Sequence, residues 1–478
     1  MLRRGVHKAD LFASLVVFLV ALPLCVGVAM ASGVPAELGL VTGIVGGLVV
    51  GVLPGSSLQV SGPAAGLTVL VHEAVQRYGV QALGVLVLAA GLVQIGLGAL
   101  RLGRWFRAVS VAVVHGMLAG IGLMLVSGQV YALGDAGAPE GGLGKLAGLV
   151  SLPGRVDPVA LSVGGATMVV LVVWGRWRGG ARLVPAPLVA VALAAGGTWV
   201  FDLDVRRVRV QGLLDAVRVP EAADFGRLTE VGVIGTVVAF ALIASAESLF
   251  SAAAVDRLHD GRRTDYDREL MAQGAGNAVC GVLGALPLTA VIVRSAANLR
   301  AGARTKASRV LHGVWLLLFA AVVPGVLGLI PVAALAGLLV HAGCKLVPVR
   351  EVRKLWRGHR GEVVVLGVTT GAIVVGNLFE GVLVGLALAV AKTAWEISHV
   401  HVETEDRGDA GLVVRVLGHA TFLRLPKLLD ALEALPHDRE VRLELGGLRH
   451  VDHACAAALE GWAAARGQGL VASSSSTS

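Results

Sequence analysis

Two short stretches of this chain interrupt an apolar pattern in the same way. The first reads Gly55-Ser56-Ser57-Leu58-Gln59-Val60-Ser61-Gly62-Pro63-Ala64-Ala65-Gly66, and the second Gly284-Ala285-Leu286-Pro287-Leu288-Thr289-Ala290-Val291-Ile292-Val293-Arg294-Ser295. In each, an extended, proline-bearing piece leads into a short helix, over 63–76 and 290–300. Pro63 suits the first position of a helix, and Thr289 suits an N-cap, where a hydroxyl accepts from the first turn. A helix that begins inside an apolar layer presents unpaired N–H groups and partial positive charge at its start. The chemistry available there is the holding of an anion. Arg294, about one turn into the second helix, leans back toward that start because helical side chains tilt toward the N-terminus.

Glu247, in Ala244-Ser245-Ala246-Glu247-Ser248, is read as the only acid well inside an apolar stretch. Ionisable groups in such places are functional candidates. Glu247 and Arg294 both fall on the cytoplasmic side of the midplane and could pair. Two functional readings follow for Glu247, a proton or cation coupling group and a counter-charge for Arg294. A third reading is a buried ion pair that only locks two helices. Gln94, Gln273 and Asn277 read as hydrogen-bonding groups between helices. His399 with His401, and His450, Asp452 and His453, lie outside the apolar stretches and read as solvated, since no further ligand spacing accompanies them.

The elements that must position these residues are membrane spans. Of 478 residues, 55% are hydrophobic and only 15% charged, with a mean hydropathy of +0.76. Soluble domains carry roughly 25% charged residues, so a soluble enzyme, a disordered chain and a nucleic-acid binder are excluded. Cys25, Cys280, Cys344 and Cys455 show no framework spacing and read as reduced thiols. Apolar runs fall near 11–31, 37–53, 81–100, 109–127, 157–174, 183–200, 230–254, 270–284, 309–323, 326–343, 362–377 and 380–397. With the two short segments they make about fourteen crossings by the spanning-length criterion. No cleavage-like exit follows the first run, so a removable signal peptide is not expected.

Arg3, Arg4 and Lys8 place the N-terminus in the cytoplasm. The groups Arg101/Arg104/Arg107, Arg176/Arg178/Arg182, Arg257/Arg262/Arg263, Arg300/Arg304/Lys306 and Lys345/Arg350/Arg353/Lys354 then all fall inside. Arg206, Arg207, Arg209 and Arg218 fall outside, but in a long connection mixed with acids, which weighs little in this rule. Both ends are therefore expected in the cytoplasm. The first short helix then points outward and the second inward, with their starts opposed, the arrangement that marks a transporter site between inverted halves. Two proline kinks in packed helices would explain either segment alone, but not the antiparallel pair. Gly43, Gly47 and Gly51, and Gly116 and Gly120, recur every fourth residue and suit close helix packing.

Several of these runs resemble the SulP inorganic anion transporters. They are Ala21-Leu22-Pro23-Leu24-Cys25, Val60-Ser61-Gly62-Pro63, the stretch from Leu286 to Asn298, Ala301-Gly302-Ala303-Arg304-Thr305 and the segment around Glu247. The similarity spans about residues 10–400. It implies an all-α polytopic membrane protein with a seven-plus-seven inverted repeat, two half-helices and a core domain that moves against a gate domain. It also implies a homodimer, with substrate between the third and tenth segments. Carried onto this sequence, substrate contacts come from Ala64, Ala65, Thr289, Ala290, Val291 and Arg294. Glu247 matches an acidic position linked to cation coupling in some relatives, and Thr289 is a second coupling-ion candidate. Many relatives carry a polar or acidic residue just after the first-segment proline, whereas Leu24 and Cys25 follow Pro23 here, leaving a first-segment contact without its usual residue.

The resemblance further implies a cytoplasmic STAS-like α/β domain after the membrane region, placed at 401–472 beyond a transport domain at 1–400. Residues 412–418 alternate as a strand, 421–435 form an amphipathic helix, 441–445 suit a second strand, and 448–452 lead into a helix through Ala464. The Ser-rich 473–478 reads as a disordered tail.

The expected function is secondary active transport of a small inorganic anion, of the sulfate or bicarbonate class, across the cytoplasmic membrane by alternating access. No enzyme activity, nucleic-acid partner or cofactor is expected beyond Na⁺ or H⁺ as a coupling ion, and no GxxxxGK[ST] occurs to suggest ATP drive. The competing readings are an anion channel, a nucleobase permease on the same fold, and a membrane anchor for the tail. A nucleobase permease would place carboxylates near the half-helices, where this chain has Arg294.

Overall fold

Long runs of apolar residues with no polar face leave the backbone only one way to satisfy its hydrogen bonds in lipid, which is to coil on itself. The computed structural model describes residues 7–104, 110–177, 184–408, 411–436 and 439–466. Arg3, Arg4, Arg107, Arg178, Arg182 and the segment 473–478 lie outside the described residues. Among the described residues, seven helical stretches are long and apolar enough to cross a membrane, one of them, Val332–Gly358, made of two consecutive helices, and three shorter apolar helices accompany them.

The first half of the membrane region contains α1 (Lys8–Ala31), α2 (Ala36–Val45, continued by a π turn over Gly46–Val50), β1 (Ser61–Pro63) and α3 (Thr68–Tyr78). It continues with α4 (Val80–Ala99), α5 (Val111–Leu133), the short α6 (Gly142–Gly148), α7 (Pro158–Arg176) and α8 (Ala186–Val200). The second half contains α9 (Val231–Asp256), α10 (Tyr266–Val282), β2 (Leu288–Ala290), α11 (Ile292–Arg300) and α12 (Ala307–Val322). It closes with α13 (Val332–Leu346), α14 (Val349–Gly358), α15 (Arg360–Val375) and α16 (Leu378–Ile397). All fourteen expected segments are present, and α14 is an additional helix between two of them.

The halves are inverted repeats, and the packing says so pair by pair. Helix α10 packs on α4 as α12 packs on α2, and α9 packs on α4 as α1 packs on α12. Close backbone approaches occur in both the α2–α12 and the α4–α10 pairs. A Cβ on Gly47 of α2 would meet the Gly313 Cα of α12 at 2.5 Å, and one on Gly91 of α4 would meet the Gly274 carbonyl of α10 at 2.7 Å. Only glycine permits backbones that near, which is how helices associate where water supplies no driving force. A second group of helices, α5, α7, α13 and α15, packs around α5 and α13. There Gly116 and Gly120 lie against Thr369 and Ile373 of α15.

Contacts divide the chain into Met1–Gly385 and Leu386–Ser478, with the boundary inside α16. The second unit holds β3 (Val400–Asp406), β4 (Leu412–Ala420), α17 (Leu425–Glu433), β5 (Val441–Val451) and α18 (His453–Ala465). Strand β4 is central, antiparallel to β3 and parallel to β5. Val414, Val416, Leu428, Leu432, Leu443, Cys455 and Leu459 form its core. Strand β3 escaped the sequence reading because Glu403, Glu405 and Asp406 give it no apolar face. Asp452, set beside His450 and His453 in sequence, caps α18 by accepting from the Cys455 N–H at 2.9 Å.

Candidate anion site

The two interrupted segments meet. Strands β1 and β2 pair antiparallel with Ser61 opposite Ala290, Gly62 opposite Thr289 and Pro63 opposite Leu288. The ladder continues through a bond from the Val291 N–H to the Val60 carbonyl at 2.9 Å. A strand pair satisfies the unwound backbone at depth, as it must where no water reaches. From this link a 3₁₀ turn (Ala65–Leu67) leads into α3, and Val291 leads into α11.

Buried amides from neighbouring helices hold the link. Asn277 of α10 brackets Leu288, accepting from its N–H at 2.7 Å and donating to its carbonyl at 3.1 Å. Asn277 also donates to Gln94, which donates on to Ser245. Gln273 donates to Ser61 and to Glu269. The three amides expected as inter-helical bonds therefore also fix β1 and β2. On the first-repeat side, Ser295 accepts from the Val60 N–H, Asn298 donates to the Leu58 carbonyl and Gln59 donates to the Ser248 carbonyl.

Neither half-helix start is capped by a side chain. Ala64 precedes the 3₁₀ turn, Leu67 precedes α3 and Val291 precedes α11, and none supplies an acceptor. This corrects two expectations. Pro63 ends β1 instead of opening the helix, since the chain stays extended through Ala64. Thr289 lies within β2, two residues before the N-cap, so its hydroxyl does not cap α11 and is buried without a partner among the described residues.

Arg294 is only 1% exposed, and its Nη2 donates to the Pro63 carbonyl at 3.4 Å. The guanidinium lies against Gly62, where a Cβ would collide with Nη1, so a side chain at that position would push the guanidinium aside. Among the described residues its Nε and Nη1 have no nitrogen or oxygen partner, and the Cys25 thiol of α1 lies beside the guanidinium. Of the readings open for Glu247, those that pair it with Arg294 are not met: no ion pair joins the two among the described residues. Instead, the Glu247 carboxylate packs against Gly66 in the 3₁₀ turn, within 2.9 Å of where a Cβ would stand, and its Oε2 is also unpartnered. Ser248, the next residue, accepts from the Ala290 N–H at 3.3 Å. The fold thus gathers Ala64, Ala65, Thr289, Ala290, Val291, Arg294 and Glu247 around one strand pair.

The sequence reading missed further buried charged groups near the link, among them Glu269 and a second buried arginine, Arg309. Glu269 is 1% exposed and accepts from the Ser56 N–H and from Gln273, each at 2.7 Å. Arg309 is 2% exposed and donates to the Gly51, Leu53 and Gln59 carbonyls, and Lys306 also donates to the Leu53 carbonyl. Together they hold the loop between α2 and β1. Both residues stand at edges of their apolar runs, where polarity is unremarkable, and only the returning loop buries them.

A profile of the sulfate permease family matches residues 8–369. The chain belongs to the sulfate permease family. It is 28% identical over 390 residues to a putative sulfate transporter, YvdB, of Bacillus subtilis, covering 80% of this chain and 72% of that protein. It is 27% identical over 359 residues to the bicarbonate transporter BicA of Synechocystis, covering 71% and 61% of the two chains. Among solved structures, the transmembrane domain of a cyanobacterial BicA superposes with a TM-score of 0.68 at 24% identity, covering 80% of this chain and 98% of that one. Murine Solute Carrier 26 family member A9, an anion transporter in the inward-facing state, superposes with a TM-score of 0.80 at 15% identity, covering 97% and 85%. The family is one of membrane transporters, not enzymes, and the inverted-repeat fold is common to these structures.

Proposed function

We propose that this chain is a secondary active transporter of a small inorganic anion of the sulfate or bicarbonate class, working by alternating access. The observation that carries this reading is the pair of uncapped helix starts beside Arg294, whose Nε and Nη1 lack nitrogen or oxygen partners among the described residues while the side chain is 1% exposed. A buried cation without a counter-charge is costly, and an anion set between the 3₁₀ turn and α11 supplies that charge. Ala64 and Ala65 offer backbone there with no side-chain acceptor of their own, while Ala290 and Val291, whose N–H groups go to Ser248 and Val60, shape the wall beside it. The Thr289 hydroxyl adds a donor.

Glu247, adjacent to the first helix start and unpaired with Arg294, is placed to bind a coupling cation, Na⁺ or H⁺, beside the anion. The positive charges put both chain ends in the cytoplasm of a cell whose plasma membrane holds the protein as a homodimer. The domain beyond α16 is read as a short STAS-like domain.

The test is reconstitution in liposomes with labelled sulfate or labelled bicarbonate, each with and without a Na⁺ or pH gradient. Saturable uptake of one anion that rises with one gradient is expected. Ohmic current without saturation would favour a channel, and no flux of either anion would overturn the substrate class.

A further inference from the structure

Helix α14, the extra helix between the spans α13 and α15, plays no part in the site described above. Its sequence is Val349-Arg350-Glu351-Val352-Arg353-Lys354-Leu355-Trp356-Arg357-Gly358. At about 100° per residue, Arg350, Arg353, Lys354 and Arg357 fall within one arc of about 100°. Val349, Val352, Leu355 and Trp356 fall within an adjoining arc of about 120°. No residue of α14 is buried, and Val349 and Trp356 are 59% and 61% exposed. None of the four basic side chains makes an ion pair among the described residues. The one acid, Glu351, lies off the basic arc and close enough to His115 of α5 to act on it electrostatically.

We propose that α14 lies in the membrane–water boundary and binds the headgroups of anionic phospholipids. Two spans fix both of its ends, so its position at the bilayer surface follows from connectivity. A helix with a basic arc beside a bare apolar arc settles at the boundary, the apolar side dipping toward the acyl chains while the cations meet the headgroups. A free phosphate or a soluble polyanion would satisfy the basic arc but leave Val349 and Trp356 in water. Lipid uses both arcs. The leaflet is the cytoplasmic one, which rests on the topology proposed above. Contact with anionic lipid does not depend on that topology or on transport.

The experiment is tryptophan quenching in the whole protein, reconstituted in phosphatidylcholine vesicles that contain a minor fraction of brominated lipid. The chain has eight tryptophans, so the share of Trp356 is the difference between wild type and Trp356→Phe. Brominated phosphatidylglycerol should quench that share about threefold more than brominated phosphatidylcholine at equal mole fraction. High salt should reduce the preference. A variant carrying Arg350→Gln, Arg353→Gln, Lys354→Gln and Arg357→Gln should bring the ratio to about one while Trp356 stays quenched by both lipids. Equal quenching by the two lipids in the wild type, or a Trp356 that neither lipid reaches, would overturn the proposal. So would loss of the preference on adding millimolar inorganic phosphate, which would mark a site for free phosphate. Uptake measured in the same vesicles reports separately on the transport reading.

Discussion

Helices α18 and α11 begin in opposite ways. Helix α18 opens with Asp452, which accepts from the Cys455 N–H, and α7 and α10 likewise open with Asp157 and Asp265 accepting from their own first turns. Helix α11 opens with Val291 and the 3₁₀ turn before α3 with Ala64, and neither offers an oxygen. At α7, α10 and α18 the chain supplies its own capping carboxylate. At the two starts that meet across β1 and β2 it supplies none, although burial makes an unmet N–H most expensive there. On the transport reading proposed above, the difference separates a start completed by the sequence from one left to a diffusible guest.

The comparison is broken most severely by removing the charge behind the open starts. Arg294→Ala should raise the apparent KM for the anion at least tenfold or abolish uptake, with the purified protein still monodisperse. Unchanged uptake would take Arg294 out of the site. The next test closes an open start with an internal cap. Val291→Asp brings a carboxylate to the N-cap of α11, where it should occupy the place of the anion and cut uptake about tenfold. Val291→Asn, a cap without the charge, should cut it less. Equal effects would show that capping geometry, not charge, matters.

Glu247→Gln removes the one carboxylate beside the 3₁₀ turn. Anion affinity should change little, whereas the dependence on a cation or pH gradient should fall about tenfold, read as initial uptake with and without the gradient. The smallest effect belongs to the capped start. Asp452→Ala should lower the unfolding temperature of the tail by about 5 °C and leave anion KM unchanged, followed by scanning calorimetry of the full chain. The Cys455 N–H foremost holds the Asp452 carboxyl below the usual carboxylate range. That part of the tail's stability is therefore complete above about pH 4 and is lost as pH falls through the lowered value. The Asp452→Ala protein should lack that acid-side loss.

The inverted architecture and the paired half-helices were legible because both depend on apolar run length and on where proline interrupts it. The arrangement around Arg294 was legible only in part. Its backward lean toward the site could be read from helical geometry, but the missing pair with Glu247 could not, since that depends on which face of α9 looks at Gly66. Thr289 was misassigned because a threonine before a short helix has the same sequence as a cap, whether or not two more residues stay extended. Glu269 and Arg309 were invisible because each sits at the end of an apolar run, where charge is ordinary until the loop from Gly51 to Val60 folds over it. Strand β3 was hidden by its acids.

The rungs between β1 and β2 have a mechanical consequence. They splice the first repeat to the second at the point where both short helices originate, and Asn277, Gln94, Ser295 and Asn298 rivet the splice to its neighbours. A displacement of one short helix thus carries the other along, and the berth between them keeps its dimensions. On the transport reading proposed above, a passenger seated there would be gripped alike whichever side of the bilayer it faced, leaving the direction of travel to the gradients.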